Sequence, residues 1–200
     1  MIFFYRKRLL VGCFAIFLAA AMPASQQVPS NTPTTGARPQ LLERNQGERR
    51  IRRPTSNNLV APEFLLKISP ANNGSEHLVV GSEDLVPGAV IGQHKHFGIE
   101  EVVLVHTGSV RATVGEVEGD VHEGGIIFIP ADTWVTIKNT NHGLTNIVFI
   151  FSHPGFDDYM RCTSFAPDEK SAFLSREERR DCAHKGHAMF KSLENDPPKN

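Results

Sequence analysis

Three side chains within eight positions have the types and spacing to share one metal ion: His94, His96 and Glu101. In an extended strand, residues two apart point to the same face, so His94 and His96 form a chelating pair while Lys95 turns away. Four residues then allow a turn. The apolar run Val102, Val103, Leu104 and Val105 reads as the next strand, which carries Glu101 back beside the histidines. Two nitrogens and one carboxylate oxygen suit iron, manganese, nickel or zinc better than calcium or magnesium, whose shells are built from oxygen. Such a face leaves metal positions open for substrate and dioxygen. Glu101 can also leave the ion and act as a base, which makes it the expected catalytic residue. No residue is assigned to an organic cofactor.

The elements that must position these groups are short and β-rich. Runs at 64–68, 77–80, 89–96, 101–106, 109–114, 125–129, 133–138 and 146–151 are separated by turn residues such as Asn73, Gly74, Pro87, Gly88, Gly108 and Gly124. Many short strands with polar turns favour a sandwich or barrel. Alternation from Glu101 turns Val103 and Val105 inward, and alternation from Val135 turns Thr133 and Ile137 inward, giving an apolar pocket around a small polar focus. Trp134 then covers the exterior. By the same parity Glu100 and His106 face outward, while His122, His142 and His153 fall in or beside loops and are read as surface histidines.

The frame around the three donors carries a resemblance. Gly88, His94, His96, Glu101 and Gly108 fill every fixed position of the first motif of the cupin superfamily, and Gly124, Pro130 and Asn139 resemble its second motif. The similarity spans roughly residues 77–155 and is to single-domain, type-2, quercetin-dioxygenase-like cupins. It implies an all-β fold: a single jelly-roll barrel. One position departs from the pattern. Where the family places a third histidine, four residues before the asparagine, this chain has Val135, and Asp132 replaces a glycine. The segment Pro154 to Tyr159 resembles one that follows the last strand in such proteins. The resemblance implies a metal-dependent protein acting on a small organic molecule, with dioxygenase chemistry suggested. The alternative is a non-catalytic cupin that binds a small molecule or sugar beside a degenerate metal site. A homodimer paired through sheet edges is a further expectation from the family.

The rest of the chain divides around this barrel. A basic start (Arg6, Lys7, Arg8) followed by an apolar run from Leu9 to Ala21 reads as a signal peptide, residues 1–24, with an uncleaved membrane anchor as the alternative. A secreted or periplasmic protein follows from it. Residues 25–58 are rich in Pro, Ser, Thr, Asn, Gln and Arg and read as a disordered linker, because they hold too little apolar surface to offset the entropy of ordering. This segment has six Arg against two Glu, whereas residues 59–200 have 12 Lys+Arg against 20 Asp+Glu. An acidic domain and arginines without interleaved aromatics argue against nucleic-acid binding. The barrel is expected over 59–155 and a C-terminal extension over 156–200, with a short helix at about 176–185 announced by the capping box Ser175 to Glu178 and stopped by Gly186. Cys162 and Cys182 remain once Cys13 leaves with the signal, an even pair suited to a disulfide in an oxidising compartment, two free thiols being the other reading.

Overall fold

Burial alternates along the central strands as an inward and outward pleat requires: in the strand that begins at Glu101, Glu101, Val103 and Val105 are buried and the residues between them are not. The structure, a computed structural model, describes residues 37–54 and 62–194. The signal segment expected at 1–24 lies outside them. In chain order the strands are β1 (Glu48–Arg52), β2 (Glu63–Ile68), β3 (Val79–Leu85), β4 (Val90–His96), β5 (Glu101–Thr107), β6 (Ser109–Val114), β7 (Val117–His122), β8 (Ile126–Ile129), β9 (Val135–Asn139) and β10 (Thr145–Phe151). They are followed by α1 (Phe156–Cys162), β11 (Ser164–Phe165), α2 (Arg176–Lys185), β12 (Ala188–Phe190) and α3 (Lys191–Glu194).

Two antiparallel sheets result, ordered β11-β1-β2-β3-β10-β5-β8 and β12-β4-β9-β6-β7. The fold is all-β, a single jelly-roll barrel with short C-terminal helices. Its core lies between the sheets. Val103 pairs with Phe149 across β5 and β10, and Ala112 pairs with Ile137 across β6 and β9, all of them buried. Gly81 on β3 is required there because a Cβ would collide with the Phe149 ring. Asn139, only 1% exposed, is fully engaged: its amide donates to the Leu85 and Gly143 carbonyls, and its oxygen accepts from Asn141 N and Thr145 Oγ1. That satisfied amide closes the turn into β10.

The linker expected at 25–58 needs correction where the structure describes it. Glu48–Arg52 is a strand, paired with β2 on one side and β11 on the other. It has little apolar surface to bury, and polar partners hold it instead. Arg49 meets Glu63, Arg52 meets Glu83, and Arg161 of α1 reaches Glu48. The barrel expected over 59–155 therefore also takes strands from outside that range, including β11 and β12. β7 was hidden for a similar reason: it is an exposed edge strand of alternating charge, with Glu118 and Asp120 both meeting Arg111.

The helix expected at about 176–185 is α2, and its Ser175–Glu178 capping box is formed in both directions. Cys162 at the end of α1 and Cys182 on α2 are joined by a disulfide. It closes a loop of 20 residues in sequence separation. Replacing both cysteines with serine should lower unfolding stability by about 3 kcal/mol, the loop-entropy value for a link of this length. Denaturant unfolding of the oxidised protein against the double variant measures the difference.

Candidate metal centre

His94 and His96 reach the barrel interior from β4, whereas Glu101 arrives from β5 in the other sheet. The expectation of a turn between them is met by a crossing rather than a hairpin. Gly98 takes a positive φ of 66°, Ile99 is fully buried, and the crossing is pinned at both ends. Phe97 N donates to the His187 carbonyl, Glu100 N to Ser152 Oγ, and Ser152 N to the Glu100 carbonyl. Glu100 itself is exposed, as its parity requires.

The three donor atoms lie within 4.8 Å of one another, and all three side chains are buried. His96 Nε2 and Glu101 Oε2 are 3.2 Å apart. An ion with bonds of about 2.1 Å needs neighbouring donors about 3 Å apart, so this spacing fits a shared cation. His94 Nδ1 sits 2.8 Å from the Gly92 carbonyl, which can only accept, so Nδ1 carries the proton and the Nε2 lone pair is left for a metal. Among the described residues His96 is the only side-chain partner of the Glu101 carboxylate, and His96 Nδ1 is a buried nitrogen without any partner. The donor set and its unbalanced carboxylate both fit a divalent transition metal.

An aromatic shell fixes the imidazoles. The His94 ring stacks on Phe190 at 5.2 Å, and His96 meets Phe156 edge-on at 4.2 Å and Phe151 at 5.1 Å. Burial in this apolar surround lowers the His94 pKa to about 4, the neighbouring His96 adding to the effect and Glu101 opposing it. Across the sheet Val135 pairs with His94, is 1% exposed, and offers no donor atom. Ile137 is buried as expected, but Thr133 precedes β9 and is only half-buried. Trp134 does face outward, with Lys95 Nζ 5.0 Å and Lys191 Nζ 5.2 Å from its ring. His106, His122, His142 and His153 are all exposed and none joins the donor group.

A cavity of about 1180 Å³ leads to His94 and Glu101. Its walls include Phe156 and Tyr159 of α1, Phe190 of β12, and Arg52 of β1. Sequence reasoning did not assign these four to the site. Phe156 and Tyr159 carried a signal, since they fall in the Pro154 to Tyr159 segment already singled out. Arg52 and Phe190 carried none.

A family model described as Cupin domain matches residues 81–151. No curated protein matches the sequence. Among solved structures, the chain is similar to TT1209 from Thermus thermophilus, at 25% identity and TM-score 0.38, covering 40% of this chain and 75% of that one. It is also similar to a Thermotoga maritima protein described as a predicted oxalate decarboxylase, at 18% identity and TM-score 0.43, over 46% of this chain and 81% of that one. A third is BH2720 from Bacillus halodurans, at 22% identity and TM-score 0.45, over 60% and 85%. The matched segment runs from within β3 to the end of β10 and contains all three donors, so residues 81–151 carry a cupin domain.

Proposed function

We propose that this protein is an exported, metal-dependent cupin that acts on a small organic molecule, with dioxygenase chemistry as the reaction class. The observation that carries the reading is the convergence of His94, His96 and Glu101, with His94 and Glu101 on the wall of a cavity of about 1180 Å³. Iron, manganese, nickel or zinc would be held by His94 Nε2, His96 Nε2 and a Glu101 oxygen. When bound, such an ion supplies a Lewis acid and, if redox-active, a route for electrons between substrate and dioxygen. The protein supplies the rest. The Gly92 carbonyl keeps His94 in the ligating tautomer, and the Phe156 and Phe190 rings exclude water from its face. Glu101 is the one carboxylate of the donor group, and an oxygen not engaged by the ion is placed to take a proton from a bound ligand. Export is supported by the basic and apolar start of the sequence and by a disulfide, which persists in oxidising compartments.

One observation favours a second reading. Val135 stands opposite His94 where the family pattern has a histidine, which suits a pocket that binds a small molecule or sugar without turning it over. Elemental analysis of mature protein purified anaerobically without chelator separates the two: stoichiometric transition metal supports the enzyme, and metal-free protein that still binds ligand supports the binding module. An oxygen-electrode trace with candidate phenols then tests the reaction class.

His94→Ala and His96→Ala should each weaken metal binding by more than about a hundredfold, because even outer-shell partners of a metal are worth about 10- to 100-fold. Val135→His should tighten it by adding a donor opposite His94. Metal titrations of the three variants check both directions, and equal occupancy in wild type and His94→Ala would remove the site.

The metal-free protein should also lose stability as pH falls. His94 stays neutral in the folded state down to about 4, while the unfolded chain takes up the same proton near pH 6.5. Between those values the unfolded state binds more protons, so stability rises with pH through the window and is lost on acidification. Thermal melts of metal-free protein across that range should show a slope that His94→Ala flattens.

A further inference from the structure

The cavity that reaches the metal ligands has a guanidinium on its wall that metal binding does not use. Arg52 ends β1, a strand outside the segment matched by the family. Its position is over-determined. Nε donates to Glu83 Oε1 at 3.2 Å, Nη2 donates to Glu83 Oε2 at 2.7 Å, and the guanidinium carbon lies 4.8 Å above the Phe64 ring. This two-bond fork holds the guanidinium plane in place. The remaining nitrogen, Nη1, bonds to no described residue, and Arg52 lines the same cavity as His94 and Glu101.

The other arginine pairs near this cavity differ. Arg44 with Asp84 and Arg49 with Glu63 involve side chains about half exposed, where water competes with any ligand. Glu83 is 5% exposed and the Arg52 side chain 28%, so their pair belongs to the wall itself. Charge decides what such a wall accepts. With a divalent ion held at the centre, the two positive centres outweigh Glu83 and Glu101 by one unit, which suits a single negative charge on the ligand.

We infer that Arg52 is the recognition group for a carboxylate, so that the cavity takes a small organic monoanion whose charged end meets the free Nη1 of the guanidinium. This rests on the metal reading above for the location of the chemistry, but the contact is a property of Arg52 and Glu83. Phe156, Tyr159 and Phe190 line the cavity as well, and they give the ligand's carbon body an apolar surface. Glu83 is a positioning residue: it orients the fork and also weakens it by carrying the opposite charge.

The experiment uses zinc-loaded full-length mature protein, with benzoate and benzamide as probes of equal shape and different charge. Zinc content is measured first, and its absence from wild type overturns the metal reading alone. Calorimetric titration then gives the benzoate-to-benzamide affinity ratio in wild type, Arg52→Gln and Glu83→Gln, in both zinc-loaded and metal-free protein. The expected order is Glu83→Gln above wild type above Arg52→Gln, with steps of about tenfold, as for loss or gain of a charged hydrogen bond. Benzamide affinity should stay level. If Arg52→Gln does not fold, because it leaves Glu83 buried and unpaired, Glu83→Gln decides by itself. A ratio equal to wild type in the folded variants, or no saturable benzoate binding in either state, overturns the inference.

Discussion

The site depends on one constraint, that the chain passes from one sheet to the other between His96 and Glu101. Four residues make that passage, and the histidines and the glutamate end on facing inner walls of the sandwich. Packed sheets stand about 10 Å apart, too far for two short side chains and near enough for two imidazoles and a glutamate. Residue type and architecture are therefore coupled: shorter acids on β5 would not meet the β4 imidazoles. The pinning of the crossing follows from this. Ile99 is driven into the core, and the His187 carbonyl and Ser152 hydroxyl hold the residues on either side. A shift of one residue in that loop would send Glu101 to the outer face.

The second requirement is an apolar surround, and the strands from β1 to β10 do not supply all of it. The rings stacked on the imidazoles come from α1 and β12, which follow β10 in the chain, and the disulfide ties α1 to α2 just before β12 begins. The C-terminal extension thus finishes the inner wall. It also explains the direction of the His94 shift, since desolvation by burial is its largest cause and the neighbouring His96 its second. A neutral imidazole is the form that binds a metal.

What the sequence made legible tracks where physical signals are local. The His94, His96, Glu101 and Val135 positions follow from pleat parity, and the capping box at Ser175 follows from hydrogen-bond chemistry within four residues. Strands with apolar alternation were also readable, because burial writes that pattern directly. β1, β7 and β12 were not. β1 is stabilised by ion pairs with Glu63 of β2, Glu83 of β3 and Arg161 of α1, contacts between residues as far apart as Glu48 and Arg161. Nothing in the segment itself reports them. β7 alternates charge on an edge, and β12 is three residues long and gains its place by pairing with β4. Hydrophobicity is a poor guide wherever polar partners are long-range.

The state of the donor group bears on whether a cation belongs there. Burying a carboxylate costs several kcal/mol per ion in real proteins, whereas a hydrogen bond to a charged group returns about 1.5 to 3 kcal/mol. Glu101 has one such bond, from His96, among the described residues. The arrangement is worse for His96: donating from Nε2 to the carboxylate leaves Nδ1 as a buried acceptor with no donor. Protonating His96 would balance Glu101 but place a positive charge against His94 and a wall of aromatic rings. A divalent ion at the centre meets the carboxylate and both Nε2 lone pairs together, and only Nδ1 of His96 stays unpaired. Of the states open to these three side chains, the metal-bound one leaves the fewest of their polar atoms without a partner.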